Sequence, residues 1–132
     1  MELLLDTHAA LWYLLNSKKL SWAARAQIET SLQKGDAVFL SAISVVETIY
    51  LVESGRIPFE ALQRLDDALG DPASGLVVTP VDLKVAEAVH GIPRSSVPDM
   101  PDRIIGATAL QLRALLVTRD SRLQSIGIRT VW

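Results

Sequence analysis

Cysteine is absent from the 132-residue sequence, which excludes disulfide bonds and zinc sites built on thiolates. Aromatic residues make up only 5%, too few for the stacking platforms of many single-strand nucleic-acid binders. An excess of positive charge is also missing, since 13 basic and 15 acidic residues give a net charge of −2. This balance counts modestly against a protein that binds nucleic acid through its overall charge.

Long apolar runs are missing too, since none approaches the roughly 20 residues of a membrane-spanning helix. The first strand pattern begins at Glu2 without a basic segment before it, and Asp6 interrupts it, so no secretory signal is expected. The 49% of apolar and 21% of charged residues are typical of a globular protein. We therefore expect a cytoplasmic protein, away from membranes, with one domain over residues 1–132.

Strand and helix patterns alternate along the chain, which favours an α/β fold with a short parallel sheet between helices. Strands are predicted over residues 2–6, 37–40, 76–79, 115–118 and 128–132. Helices are predicted over residues 7–16, 21–34, 44–53, 58–69, 81–89 and 102–115. Residues 91–101 contain three prolines and are predicted to form a loop.

Four short acidic signatures are the most informative feature of the sequence. They are Leu3–Thr7, Ser44–Glu47, Pro101–Ile105 and Val117–Asp120. Their acids stand where a predicted strand ends or a helix begins, and in an open α/β sheet these places meet in one crevice. Carboxylates gathered there repel one another unless a divalent cation lies between them. The pattern therefore predicts a metal-dependent enzyme.

Each acid also has an ordinary structural interpretation. Asp6 is a good N-cap for the helix that follows it, and Ser44 with Glu47 matches a capping box. Asp102 would favour the start of a helix, and Asp120 would serve as a turn or cap residue. Caps are common, so each acid alone is explained at least as well this way. Their joint placement at strand ends favours the site.

Two neighbours of these acids carry polar groups of interest. Thr118 offers a hydroxyl that could bind a water on the metal. His8 could contact substrate, but a histidine in the first turn of a buried helix is more often structural. Arginines also stand near the last two signatures, although scattered solvated arginines explain them equally well. These arginines are Arg94, Arg103, Arg119 and Arg122.

Taken in order, the motifs resemble those of PIN-domain nucleases, specifically the VapC-type ribonuclease toxins of bacterial toxin–antitoxin systems. The resemblance spans nearly the full length. It is carried by Leu4–Ala9 with Leu11-Trp12, Leu20-Ser21 with Ala24-Arg25, Ser41–Glu47, Asp99 with Asp102–Ala107, and Val117–Leu123. It implies a three-layer PIN-like fold and an endoribonuclease, a hydrolase of RNA phosphodiester bonds.

The resemblance also implies roles for single residues. Asp6 and Asp102 would be direct ligands of Mg²⁺ or Mn²⁺, with Asp120 and Glu47 completing the site or orienting a water. The oxygen donors and the lack of cysteine argue against zinc. The family pattern Asp-Pro-Phe-Asp is replaced here by Asp99-Met100-Pro101-Asp102, so Asp99 is an additional candidate only.

Partners follow from the same resemblance and from apolar helix residues. Arg103, Arg119 and Arg122 would contact the RNA substrate together with Thr118. A small antitoxin protein would inhibit the enzyme, which would itself be a homodimer. The aromatic residues Trp12, Trp22 and Tyr50 are candidates to line a groove for either protein partner.

Two other classes of protein remain as alternatives. A receiver-like or phosphatase-like phosphotransfer domain also gathers acids around Mg²⁺ at strand ends. A receiver would need adjacent acids after the first strand and a lysine after the last, and a haloacid-type phosphatase would need an acid at residue 8, which is histidine. A non-catalytic interaction module is the second alternative, and the intact acids argue against it.

Overall fold

A five-stranded parallel β-sheet runs through the part of the chain that the structure, a computed structural model, describes: residues 2–132. Its strand order is β3-β2-β1-β4-β5. The strands are β1 (Leu3–Leu5), β2 (Val38–Ser41), β3 (Leu76–Thr79), β4 (Leu115–Val117) and β5 (Thr130–Val131). All four strand pairings are parallel, as predicted from the alternation of strands and helices.

Helices cover both faces of this sheet, which confirms the predicted α/β class and three-layer PIN-like arrangement. They are α1 (Thr7–Leu14), α2 (Trp22–Gln33), α3 (Ala42–Glu53), α4 (Phe59–Gly70), α5 (Leu83–Ala88), α6 (Met100–Leu112) and α7 (Ser121–Gln124). Short 3₁₀ turns occupy Pro72–Ser74 and Val89–Gly91. Within residues 2–132, no helix combines the length and apolar character needed to cross a membrane.

Strand β1 explains why the core has two halves. Leu3 and Leu5 belong to one apolar cluster, with residues of α1, α2 and α4, whereas Leu4 belongs to a second cluster with residues of α5 and α6. All three leucines are buried, because alternate residues of a strand face opposite sides of the sheet. A central strand covered on both faces must be apolar throughout, and this is why the run ends only at Asp6.

The sheet reverses its direction of growth between β1 and β4. Leu5 of β1 is paired with Val117 of β4, and the amide of Asp6 donates a hydrogen bond of 3.1 Å to the carbonyl of Val117. Chain segments leaving two such neighbouring strands diverge to opposite faces of the sheet and leave a crevice at the carboxyl edge. The acids after β1 and β4 lie at this crevice.

Two helix starts differ from the prediction. Helix α3 begins at Ala42 because Ser41 is its N-cap and accepts a 3.2 Å hydrogen bond from the amide of Ile43, so the capping box proposed for Ser44 is wrong. Helix α6 begins at Met100 because proline fits the first turn, where its missing N–H costs no helical hydrogen bond. The last strand is also shorter than predicted.

Candidate functional site

A cavity of about 640 Å³ opens at the carboxyl ends of β1 and β4. Its acidic lining consists of Asp6, Glu47, Asp99, Asp102 and Asp120. These residues come from four separate parts of the chain: the ends of β1 and β4, the middle of α3 and the start of α6. The structure therefore brings the four predicted acids together, and it adds Asp99 to them.

Asp6 is held from two sides at the bottom of this cavity. Its Oδ1 accepts a 2.8 Å hydrogen bond from the amide of Ala9 and so caps α1, while its Oδ2 accepts a 2.5 Å hydrogen bond from the hydroxyl of Thr118. Burial raises the pKa of Asp6, and these two hydrogen bonds oppose the rise. The Asp6 carboxylate thus caps α1 and also lines the cavity.

Glu47 is fixed by a small hydroxyl network between α3 and α1. The Thr7 hydroxyl donates to Glu47 Oε1 at 2.5 Å and lies 2.8 Å from the hydroxyl of Ser44. Thr7 has one hydroxyl proton, so the Ser44 hydroxyl supplies the donor of the second bond. Ser44 therefore supports Glu47 through Thr7, and this leaves Glu47 Oε2 without a contact to Thr7.

Asp102 lies among the other acids, in the first turn of α6. Burial, followed by the charges of Asp99, Asp120 and Glu47 and a hydrogen bond shared with Asp120, raises the pKa of Asp102 to about 8. Asp120 is the N-cap of α7, where its side chain accepts a 2.8 Å hydrogen bond from the amide of Arg122. Burial and the neighbouring carboxylates thus both favour the protonated form of Asp102.

The donor set of the cavity fits a hard divalent cation. All five acidic residues offer carboxylate oxygens, which Mg²⁺ and Mn²⁺ prefer, and a cation among them would relieve the repulsion that raises the pKa of Asp102. Between residues 2 and 132, no three His, Asp or Glu side chains already stand together as a closed coordination group.

Three of the predicted substrate-binding residues do not lie in the cavity. Thr118 is fully buried, and its hydroxyl donates to Asp6 and accepts from the amide of Asp120 at 3.0 Å, so it positions these two residues. Arg103 donates from Nε to the carbonyl of Ile92 at 3.0 Å, which ties α6 to the preceding loop. Arg122 is exposed on α7, outside the cavity lining.

Arg119 does line the cavity, together with basic and aromatic residues that the sequence analysis did not assign to substrate. These additional residues are His8, Trp12, Lys19 and Arg56. His8 is exposed, and Trp12 lies one helical turn after it on α1. Residues four apart lie on the same face of a helix, so this spacing in the sequence could have predicted that both side chains face the cavity.

Of the three aromatic residues assigned to a partner groove, Trp12 instead faces the acidic cavity. Trp22 and Tyr50 are 85% and 69% exposed. Tyr50 lies with Val46 on α3 beside Met100 of α6, and together they line a groove that adjoins the acidic cavity at Glu47. Val46, Tyr50 and Met100 therefore form one exposed apolar patch on α3 and the start of α6.

The family model for the PIN domain matches residues 3–128 of the chain. Among curated proteins, the chain is 36% identical over 124 residues to Ribonuclease VapC22 of Mycobacterium tuberculosis, covering 92% of this chain and 89% of the relative. The predicted resemblance to PIN domains is thereby confirmed.

Solved structures share the fold over nearly the full length. A structure of VapBC2 from Rickettsia felis, bound to a DNA fragment from its promoter, superimposes with a TM-score of 0.74 at 19% identity and covers 99% of this chain and 98% of that one. A toxin–antitoxin complex from Klebsiella pneumoniae gives a TM-score of 0.69 at 23% identity, with coverages of 98% and 96%. The similarity to these structures supports the fold.

Replacing Thr118 with Val should lower the free energy of unfolding by about 1–3 kcal/mol, since the buried Asp6 carboxylate loses a donor and the amide of Asp120 loses an acceptor. Thr118→Ser keeps the hydroxyl and is the matched control. Urea denaturation of the two variants and the parent measures the difference. Equal stability of the Val and Ser variants would show that the hydroxyl supports neither group.

Metal-free stability should fall as pH rises from about 4 to about 8, because Asp102 binds a proton more tightly in the folded protein than in the unfolded chain. Asp102→Asn removes the repelling charge, so it should flatten this pH dependence. It should also raise the melting temperature at pH 8 in EDTA by a few degrees, which corresponds to about 1 kcal/mol of unfolding free energy. The effect is this modest because solvent screens the partly exposed carboxylate.

Melting curves between pH 4 and pH 8 test this expectation. Asp66→Asn is the control, because Asp66 is exposed on α4 and outside the cavity. A destabilised Asp102→Asn protein, with the slope of the parent retained, would mean that Asp102 serves the fold as a cap or ion-pair partner.

Proposed function

This chain belongs to the PIN-domain family, and we propose that it is a Mg²⁺- or Mn²⁺-dependent endoribonuclease that acts as the toxin of a toxin–antitoxin module. One observation carries the proposal: the carboxylates of four distant chain segments line a single cavity at the carboxyl edge of the sheet. The relative named as a ribonuclease supports the RNA substrate. Membership of the PIN-domain family also excludes the receiver-like and phosphatase-like alternatives.

Asp6 and Asp102 are the proposed direct ligands of the divalent cation, with Asp120 beside them and with Glu47 and Asp99 as further candidates. When bound, a divalent cation would supply polarisation of the phosphodiester and compensation of the negative charge that develops on it. Asp6 is suited to this role because two hydrogen bonds fix its orientation before any ligand arrives.

Glu47 has a different proposed task. Its Oε1 accepts a hydrogen bond from the hydroxyl of Thr7. Oε2 is therefore the oxygen left to orient the attacking water and to take a proton from it. Arg119 lines the same cavity and would bind a phosphate of the RNA through its guanidinium group. Hydrolysis would then proceed by in-line attack of the oriented water on the phosphorus, the P–O bond opposite the water would break, and the leaving oxygen would take a proton from solvent.

Protein partners form the second part of the proposal. The structural neighbours include toxin–antitoxin complexes, which supports a small antitoxin as the inhibitor of this chain. The exposed surface of α3 around Val46 and Tyr50 is the proposed contact surface for an antitoxin or for a second copy in a homodimer. We place this activity in the cytoplasm, where the RNA substrates are.

The parent protein should cleave RNA in millimolar Mg²⁺ or Mn²⁺ and lose this activity in EDTA. Asp6→Asn and Asp102→Asn should each reduce cleavage by more than the roughly 10–100-fold that loss of an outer ligand partner costs. Asparagine at residue 6 still caps α1, and Asp102 is not the cap of α6, so both variants should keep the fold, which circular dichroism checks. Electrophoresis of a labelled RNA measures cleavage.

Asp66→Asn, in an exposed acid of α4, controls for a general effect of removing negative charge. Its cleavage rate should equal that of the parent. Undiminished cleavage in EDTA, or by the Asp102→Asn protein, would contradict a metal-dependent mechanism.

A further inference from the structure

Two cations of the cavity are gathered on one aromatic ring. The guanidinium carbon of Arg119 lies 4.7 Å from the centroid of the Trp12 ring, and Nζ of Lys19 lies 6.0 Å from it. Both distances are within the range in which the negative face of an indole attracts a cation. Arg119 and Lys19 come from distant parts of the chain, after β4 and before α2, and both lie over the ring of Trp12.

The ring of Trp12 is itself held in place. Trp132 packs edge-on against it with the ring centroids 5.7 Å apart, and His8 is tilted over it at 5.4 Å. Trp12 also packs against the apolar cluster that contains Leu3 and Leu5. Trp12 is therefore a fixed surface, whereas Lys19 and Arg119 are exposed side chains with long flexible stems.

The two cations line the same cavity as five carboxylates, yet within residues 2–132 neither forms an ion pair with any of them. An arginine beside so many acids would be expected to fold onto one of them. Attraction to the indole face offers the guanidinium another position at the cavity wall. The nitrogen donors of Arg119 and Lys19 then remain available to an anion.

We propose that Trp12 is a positioning residue, which holds Arg119 and Lys19 at the wall of the cavity so that they bind phosphates of single-stranded RNA next to the cleaved bond. We call Lys19 and Arg119 on the ring of Trp12 the cationic wall. The identity of the anion rests on the proposed ribonuclease function. Lys19 is assigned to substrate for the first time here, and Trp12 acts through the two cations.

The cationic wall also accounts for binding by a protein of negative net charge. Arginine offers a planar fork to a phosphate and lysine a compact charge, so the pair can hold two successive phosphates of a strand. Without the ring, the guanidinium group of Arg119 would form an ion pair with one of the carboxylates and would no longer bind a phosphate. Loss of Trp12 should thus resemble loss of the cations.

Fluorescence anisotropy with a fluorescein-labelled single-stranded RNA of mixed sequence, in EDTA and at several salt concentrations, tests the proposal without cleavage. Replacing both Lys19 and Arg119 with Ala should reduce the slope of log affinity against log salt by about 1.4, since each lost contact to a single strand removes about 0.7. Trp12→Leu should reduce affinity and slope in the same direction, whereas Trp12→Phe keeps an aromatic face and should retain most of both.

Adding Trp12→Leu to the protein that already lacks both cations should cause no further loss of affinity. A further loss in that background would overturn the positioning role and show that the indole contacts RNA itself. Trp22→Leu, in an exposed tryptophan outside the cavity, is the matched control and should bind as the parent does. Melting temperatures of all variants identify any that are unfolded.

The two proposals fail in different ways. A parent protein that binds RNA through the cationic wall but never cleaves it with Mg²⁺ or Mn²⁺ contradicts the ribonuclease and leaves the wall intact. A parent that cleaves RNA, with Trp12→Leu and the double Ala variant binding as it does, contradicts the wall alone.

Discussion

The hydrogen bond from Thr118 to Asp6 joins the ends of the two central strands, across 112 residues of sequence, at the place where the cavity opens. Both of its partners have a second task, since Asp6 caps α1 and the Thr118 hydroxyl accepts from the amide of Asp120. The directions of α1 and of the segment after β4 are therefore set by one buried contact. The positions of Asp6 and Asp120 in the cavity depend on it.

Charge is the other constraint on this cavity. Five carboxylates line it, and burial together with the charges of Asp99, Asp120 and Glu47 raises the pKa of Asp102. The simplest relief within the chain would be an ion pair with Arg119, which would also block the cavity against a metal ion and a phosphate. The ring of Trp12 gives that arginine a different partner. The carboxylates and the guanidinium group therefore stay free of one another, so both remain available to ligands from outside the chain.

Much of the fold and the acidic half of the site could be predicted because both depend on local patterns. An apolar run that stops at Asp6 marks the end of a buried strand, and parallel strands bring such ends together. Capping and a place in the cavity do not exclude each other: Asp6 and Asp120 are both N-caps and both line the cavity, since helices start where strands end. Sequence periodicity could not show that Arg103 points to backbone carbonyls, or that Lys19, in a loop, reaches Trp12.

The strand order has a consequence for the moment at which the site comes into being. Strand β1 is made early in synthesis, but its neighbour β4 and the acid after it are made more than 100 residues later. While the chain is still emerging from the ribosome, Asp6 has neither Thr118 nor Asp120 beside it, so the bottom of the cavity has not yet formed. The acidic cavity can therefore be completed only after almost all of the sheet has been translated.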